Sequence, residues 1–191
     1  VHRIDKETSG CICFAKNEKN HRYLSMQFEK RKVDKIYLGF IHGTFDEKDG
    51  SIEDAMMEHP VIKGKMIINQ KQGKPSTTLY KTLEAFGTYS LVEYKILTGR
   101  THQIRLHSSN RGHPIVCDSV YGLTNPVYIS SLKKKYSLSK DELEEKPILS
   151  RLALHAYKLK FTSESGKQIE VVAPLNRDMN AMLNQCRKWL K

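Results

Sequence analysis

The sequence predicts an α+β fold in which helices flank a mixed, mainly antiparallel sheet. Two pairs of apolar, strand-like segments, each pair joined by a short glycine-containing turn, indicate two antiparallel hairpins. Amphipathic patterns of helical period near both ends of the chain indicate helices that pack beside the sheet. Because the strands adjoin in pairs and do not alternate with helices, a parallel doubly wound sheet is disfavoured. The 191 residues fit a single domain over 1–191.

The first elements are read from apolar runs and one capping residue. Residues Cys11 to Ala15 form a short apolar run after a turn-forming Thr-Ser-Gly cluster and predict a buried strand. Asn17 is a favourable N-cap for a helix that would continue to about Val33. Lys35 to His42 is apolar on both alternating faces, which predicts a central strand.

The middle of the chain predicts the first hairpin. Ser51 to Met57 is a candidate strand, and the glycine- and lysine-rich stretch Lys63 to Ser76 is interpreted as a mobile basic loop or a hairpin. Thr77 to Phe86 and Tyr89 to Leu97 are strand-like and are separated only by Gly87-Thr88, the spacing of a tight hairpin.

A short, unusually polar helix is predicted next. Thr101 is suited to be its N-cap and Gly112 to mark its end. The helix would carry His102, Gln103, Arg105 and His107.

The last third predicts an insertion, a second hairpin and a helix. Residues 124–150 are hydrophilic, with a run of three lysines and an acidic stretch at 141–145, and we expect a surface insertion that could fold as a small helical flap. Leu152 to Thr162 and Gln168 to Val172 predict a hairpin around Ser165-Gly166. Asn176 would cap the final helix, and one apolar stripe of that helix comprises Met179, Met182, Leu183, Cys186 and Leu190.

Composition narrows the class of function. The sequence has 32 Lys and Arg against 21 Asp and Glu, a net charge of +11 that favours a polyanionic partner such as nucleic acid. On charge alone, a basic surface that only maintains solubility is an equal alternative.

The pattern of cysteines and the lack of targeting signals indicate the cellular compartment of the protein. The four cysteines form no C-x-x-C pair and suggest no disulfide framework, and no apolar run is long enough to span a membrane. We therefore expect a cytoplasmic protein with no membrane partner. Because the chain does not begin with Met and its first residues already belong to a motif, we expect it to be part of a longer protein.

Two segments concentrate reactive polar groups: His2 to Gly10, which reads HRIDKETSG, and Gly99 to His107, which reads GRTHQIRLH. A carboxylate such as Asp5 placed among arginines can be a structural ion pair or a nucleophile at a sugar carbon. Taken singly, Asp5 fits the structural interpretation better, because an Arg-x-Asp sequence is common.

Taken together, these segments resemble the RluA-type pseudouridine synthases, which isomerise uridine to pseudouridine in structured RNA. His2 to Gly10 matches that family's H-R-[LI]-D-x-x-T-S-G motif, and Gly99 to His107 matches its G-R-T-H-Q-I-R-x-H motif. Lys35 to Gly43 is similar to the family's K-x-Y-x-A-x-V-x-G strand, with Gly39 where alanine is usual. Further matches in family order are Gly112 to Ile115, Asp118-x-x-Tyr121-Gly122 and Arg151 to Ala156.

The resemblance implies a catalytic domain over residues 1–191 that lacks the strands the family places before the first motif. It implies that Asp5 is the catalytic aspartate and that Tyr37 lines the uracil pocket. We expect Arg105 to hold Asp5 through a bidentate pair, with Arg100 as the second candidate. Arg3, Arg100 and His102 are expected to contact RNA.

The chemistry implied by this resemblance needs no metal and no organic cofactor. The expected partner is structured ribosomal or transfer RNA, with no obligate protein partner. Two rival functions are a non-catalytic RNA-binding module and a ribonuclease that uses His102 and His107. The ribonuclease is disfavoured because five residues of helix turn two side chains about 140° apart. The binding module is disfavoured because it gives no reason for a carboxylate among arginines.

Overall fold

The computed structural model describes residues 1–138 and 144–190. They form one eight-stranded sheet and three α-helices, in the order β1 (Ser9–Gly10), α1 (Glu18–Glu29), β2 (Asp34–His42), β3 (Asp49–Glu58), β4 (Met66–Ile68), β5 (Lys74–Ala85), β6 (Tyr89–Ile96), α2 (Gln103–Asn110), β7 (Leu154–Thr162), β8 (Gln168–Val172) and α3 (Arg177–Trp189). A single 3₁₀ turn, Ile129–Ser131, lies between α2 and β7.

The sheet confirms the predicted α+β class. Its strand order is β1-β7-β2-β6-β5-β3-β4, with β8 also paired to β7. Every neighbouring pair is antiparallel except β1 and β7, which run parallel. Both predicted hairpins are present as β5–β6 and β7–β8. The first motif therefore enters the sheet through β1, directly beside the strand that follows Arg151.

Helices α1 and α3 lie in the segments that capping residues and apolar periodicity predict. Asn17 caps α1, because its side-chain oxygen accepts a hydrogen bond from the Asn20 amide at 2.9 Å. The helix ends at Glu29 and not near Val33, since Arg31 adopts a left-handed conformation with φ of 56° and turns the chain toward β2. The predicted stripe of α3 is buried at Met179, Met182, Leu183 and Cys186, whereas Leu190 is half-buried.

The predicted strand at residues 11–15 is wrong. Only Ser9 and Gly10 pair with β7, and the rest of that β7 edge is occupied by β8 along Lys158 to Thr162. Cys11 is buried at the end of the pairing, but Ile12 and Phe14 are exposed. An apolar run can therefore lie outside the sheet when a later strand takes the available edge.

The basic stretch at residues 63–76 forms a hairpin, one of the two expected forms. Met66–Ile68 pairs with β3, and β5 already begins at Lys74. The connecting turn is held by Asn69, whose side-chain oxygen accepts hydrogen bonds from the amides of Lys71 and Gln72 at 3.0 Å each.

The segment 124–150 does not lie wholly on the surface as expected. Val127, Leu132 and Leu149 are buried in the main core, and Val127 bridges to Leu149 through backbone hydrogen bonds. Among its described residues, the 3₁₀ turn is the only helical part of the expected flap. Residues 139–143, which include most of the acidic stretch, lie outside the described part of the chain.

The main core joins the central strands to α3. It contains Phe40, Ile41, Val92 and Tyr94 from β2 and β6, together with the buried methionines of α3. A smaller cluster of Cys11, Val33 and Leu159 lies beside α1. None of the described helices combines the length and the apolar character that crossing a bilayer would require.

Candidate active site

The largest concentration of predicted site residues surrounds one cavity of about 410 Å³. It lies between the first motif, strand β2 and the segment that leads into α2. Its lining comprises residues 1–5, Thr8, Phe28, Glu29, Arg31, Lys35, Tyr37, Ile96, residues 98–104 and Leu154. Asp5, Tyr37, Arg3, Arg100 and His102 therefore share a single cavity, as the resemblance implies.

Asp5 is presented on a tight turn that precedes β1. The Thr8 amide donates to the Asp5 carbonyl at 3.0 Å, and the Cys11 amide donates to the Ala156 carbonyl at 2.8 Å. Gly10, with φ of 109°, is required at the crossing, because a Cβ there would lie 2.2 Å from the Ala156 oxygen. The Thr-Ser-Gly end of the motif thus fixes the backbone on which Asp5 stands.

Arg105 lies close to Asp5 but is bonded to another carboxylate. Its Nη1 is 3.8 Å from Asp5 Oδ2, within the 4 Å expected for an ion pair. Its Nε and Nη2 instead donate to Asp118 at 2.8 and 2.7 Å. The prediction that Arg105 approaches Asp5 is confirmed, whereas the prediction that its bidentate fork holds Asp5 is wrong.

Asp118 is the residue that explains this arrangement, and the sequence analysis assigned it no role. It is fully buried, and its Oδ1 also accepts from the amides of Val120 and Tyr121 at 2.9 and 3.0 Å. Burial raises the pKa of Asp118, but the hydrogen bonds from Arg105 and Val120 outweigh it, so the pKa is lowered overall. Asp118 therefore stays ionised, fixes Arg105 and leaves the Asp5 carboxylate without a hydrogen bond from it.

Tyr37 lines the same cavity as Asp5. It lies in the middle of β2, paired with Tyr94 of β6 and Ala156 of β7. Burial, followed by the nearby Asp5 carboxylate, raises the pKa of the Tyr37 hydroxyl. The side chain is consequently a neutral aromatic group, suited to stack on a planar base.

His102 connects the cavity to the β4 hairpin. Its Nδ1 lies 2.9 Å from the Tyr121 hydroxyl, which also accepts from the Met66 amide at 2.8 Å. Burial lowers the pKa of His102, so the ring is neutral at pH 7 despite the carboxylate of Asp5. His102 can offer a hydrogen bond to a ligand, but not a charge.

The predicted N-cap of α2 at Thr101 is wrong. The helix begins after His102, which has a left-handed φ of 54° and makes no side-chain cap. Gln103, the first helical residue, instead reaches backward and holds the preceding segment, because its Oε1 accepts from the Arg100 amide at 3.0 Å and from the Thr98 hydroxyl at 2.8 Å. The first turn of α2 therefore has no side-chain N-cap.

The remaining arginines differ in how they are held. The Arg100 guanidinium donates to the Pro75 carbonyl at 3.3 and 3.4 Å, which ties it to β5 and away from the second role considered for it, the pairing with Asp5. Arg3 is exposed on the cavity rim.

His107, the second histidine of the ribonuclease alternative, is fully buried. It lies 2.9 Å from Ser76 and does not line the cavity. The two histidines therefore do not face a shared target, as their helical spacing predicts.

In the described part of the chain, no three His, Cys, Asp or Glu side chains are grouped closely enough to hold a metal ion.

Comparison with known proteins agrees with this geometry. Residues 1–110 match the profile of a family described as RNA pseudouridylate synthase. The chain is 38% identical over 188 residues to the ribosomal large subunit pseudouridine synthase D of Neisseria meningitidis serogroup B, covering 98% of this chain and 48% of that protein. It is 32% identical over 189 residues to the ribosomal large subunit pseudouridine synthase C of Haemophilus ducreyi, covering 98% and 55%. The chain thus spans about half the length of these relatives.

Solved structures show the same fold. Human RNA pseudouridylate synthase domain containing 4 superposes with a TM-score of 0.75 at 26% identity, covering 97% of this chain and 74% of that one. Human RNA pseudouridylate synthase domain containing 1 gives 0.69 at 29% identity, covering 97% and 78%.

Proposed function

The chain belongs to the RNA pseudouridylate synthase family, and from that premise we propose that it isomerises uridine to pseudouridine in RNA, with Asp5 as the catalytic carboxylate. The observation that supports this proposal best is the position of Asp5. It lines the same cavity as a buried tyrosine and lies beside a guanidinium 3.8 Å from its carboxylate, whose fork is bonded to Asp118. An aspartate with a purely structural role at this position would itself accept the two hydrogen bonds from Arg105 Nε and Nη2.

The reaction breaks the bond between C1′ and N1 of the uridine and forms a bond between C1′ and C5. A proton leaves C5, and N1 gains one. Asp5 can assist by attacking C1′, by adding to the uracil ring, or by removing a ribose proton to give a glycal. In each route the carboxylate must be ionised and free of a competing hydrogen bond, which the pairing of Arg105 with Asp118 supports.

Tyr37 has the proposed role of holding the base after it is detached. Because its hydroxyl stays protonated, its ring can stack on uracil while its O–H acts as a hydrogen-bond donor. A target uridine must leave its stack in folded RNA at a cost of a few kcal/mol, and stacking on Tyr37 offsets part of that cost.

Three residues are proposed to bind the RNA around the target. Arg3 lies on the cavity rim, two residues from Asp5, and can hold a phosphate or the space that the flipped base leaves. Arg100 also lines the cavity, and its guanidinium is anchored on the Pro75 carbonyl. His102, neutral at pH 7, contributes a hydrogen bond.

The substrate we propose is ribosomal RNA of the large subunit, because two similar proteins carry that substrate in their names. Transfer RNA is the second RNA class to be tested in parallel. The net charge of +11 supports either, since phosphate contacts provide affinity without reading sequence.

The test uses unmodified transcripts of large-subunit ribosomal RNA and of transfer RNAs, incubated with the chain and mapped for pseudouridine. We expect new pseudouridine with the parent chain and none with Asp5→Asn, while RNA affinity stays within a few-fold. Asp46→Asn, which removes an exposed carboxylate outside the cavity, is the matched control and should retain full activity. Substantial turnover by Asp5→Asn would refute the assignment of Asp5.

A further inference from the structure

The cavity carries more positive charge than the proposed chemistry uses. Besides Asp5, only one acidic side chain, Glu29, is among the described residues that line it. Four basic side chains face these two acids: Arg3, Arg31, Lys35 and Arg100. Two of the four, Arg31 and Lys35, have no role in the scheme above.

Lys35 has a defined position in the cavity. It precedes Tyr37 by two residues on β2, so the two side chains share a face of the strand about 7 Å apart. A Cβ built on Gly99 would lie 3.6 Å from Lys35 Nζ, with no other heavy atom within 4 Å. The ammonium group therefore lies between β2 and the segment before α2, next to the position proposed for the base.

Lys35 lacks a counter-charge in the described structure. No described residue forms an ion pair or a hydrogen bond with its ammonium group. Burial and the neighbouring Arg31 both lower the pKa of Lys35. Half-buried charges are normally paired, and one that is not paired with protein indicates a site for an anionic ligand.

The neighbouring groups do not supply the missing anion. His2 stacks on Phe28 with ring centroids 4.9 Å apart, and both of its ring nitrogens are buried without a partner. Burial and Lys35 lower the pKa of His2 to about 4, so this wall is uncharged. Arg31 adds positive charge from a backbone with φ of 56°, a conformation that costs a non-glycine residue roughly 1–2 kcal/mol.

We propose that Lys35 and Arg31 form a phosphate-binding site for the nucleotide held between Tyr37 and Asp5. The ligand is a phosphate group esterified to the ribose of that nucleotide, on its 5′ or its 3′ side. Lys35 supplies a point charge beside the base pocket, and Arg31 supplies a second cation at the mouth of the same cavity. This inference rests on the proposed function for the identity of the nucleotide, but not for the presence of an anion site.

The test compares three small probes on the whole chain: uridine, uridine 5′-monophosphate and uridine 3′-monophosphate. We expect one monophosphate to bind roughly tenfold more tightly than uridine, which is typical of one charge-assisted contact. Lys35→Gln should abolish that advantage and leave uridine affinity unchanged, whereas Lys35→Arg should keep most of it. Lys32→Gln is the matched control, because it removes the same charge from an exposed neighbour that does not line the cavity.

A second measurement uses RNA. For the transcript with the highest affinity, Lys35→Gln should reduce the slope of log affinity against log salt concentration by about one, and Lys32→Gln by less. Equal binding of all three probes, no measurable binding, or equal losses in the Lys35 and Lys32 variants would overturn the phosphate site. Failure of the proposed function would instead appear as absence of pseudouridine with the parent chain, whatever the monophosphates do.

Discussion

Two arginines hold the two ends of the first motif, and they do so with the same hydrogen-bonding pattern. Arg105 donates through Nε and Nη2 to Asp118 and directs Nη1 toward Asp5. Arg151 donates through Nε and Nη2 to Asp178, at 2.7 and 2.8 Å, and directs Nη1 toward Ser9. In each pair an aspartate from outside the motif fixes the guanidinium, and the remaining nitrogen faces the motif.

The two pairs differ in what that last nitrogen does. Arg151 Nη1 makes hydrogen bonds at 3.3 Å to the Ser9 hydroxyl and to the Leu152 carbonyl. Arg105 Nη1 stops 3.8 Å from the Asp5 carboxylate, and its side chain is only 4% exposed. The Arg151 pair uses its hydrogen bonds to hold the backbone, whereas the Arg105 pair places a buried charge beside Asp5. This difference distinguishes a structural clamp from a candidate catalytic site.

Removing the aspartate from each pair tests this comparison most strongly. Asp118→Asn should lower the free energy of unfolding by about 3–5 kcal/mol, because it leaves the buried Arg105 guanidinium without a counter-charge and replaces the oxygen that accepts from its Nε with an NH₂ group. The same variant should also reduce pseudouridine-forming activity, by a factor equivalent to at least the same free energy. The reason is that Arg105 is then free to bind the Asp5 carboxylate. Urea unfolding and the pseudouridine assay measure the two effects.

Asp178→Asn is the matched variant for the other pair. Its carboxylate is 30% exposed, so its loss should lower the free energy of unfolding by only about 1 kcal/mol. If both variants lost similar amounts of unfolding free energy, the deeper burial of the Arg105 pair would not make it more important for stability than the Arg151 pair.

Acidic pH should destabilise the region around Arg105, which includes helix α2, more than the region around Arg151. Helix α2 carries the fully buried His107, and burial lowers its pKa to about 4. The unfolded chain binds this proton near pH 6.5 and the folded chain only near pH 4, so stability present above pH 6.5 is lost as the pH falls. Between pH 7 and pH 5 we expect a loss of about 2 kcal/mol from this residue.

The measurement is urea unfolding at both pH values for the parent chain and His107→Gln. The variant should lose about 2 kcal/mol less between pH 7 and pH 5 than the parent does. Amide exchange, corrected for its intrinsic pH dependence, should increase in α2 more than in α3. A parent and a variant with the same pH dependence would contradict the assignment.

Much of the fold could be predicted because its signals are local. Gly87-Thr88 and Ser165-Gly166 mark both hairpins, and Asn17 marks the start of α1. The errors arose where an element distant in sequence determines whether a segment joins the sheet. The apolar run after Gly10 reads as a strand, but β8, more than 150 residues later, takes the edge it would need.

The site shows the same limit. Asp5, Tyr37 and Arg105 were found because they stand in recognisable motifs, and they meet at one place. The true partner of the Arg105 fork, Asp118, lies 13 residues further along the chain, and charge alone does not distinguish this carboxylate from Asp5. Lys35 stands at the start of the K-x-Y strand motif, but the sequence assigned it no role, because an unpaired lysine is evident only when its surroundings are known.

The smallest expected effect concerns the Arg151 side, at Ser9. Its hydroxyl donates to Asn176 Oδ1 at 3.0 Å, accepts from Arg151 Nη1 and lies 2.9 Å from His155 Nδ1. Ser9→Ala should therefore lower the free energy of unfolding by about 1 kcal/mol.

Ser9 lies four positions after Asp5, so a looser anchor should let the carboxylate leave its working position more often and reduce kcat by roughly three- to tenfold. RNA affinity should not change, because Ser9 does not line the cavity. Ser165→Ala, which removes an exposed hydroxyl from the β7–β8 turn, is the control and should change neither quantity. If Ser9→Ala weakens RNA binding and leaves kcat intact, the Arg151 pair contributes to the RNA surface, and the distinction between clamp and catalytic site fails at that end of the motif.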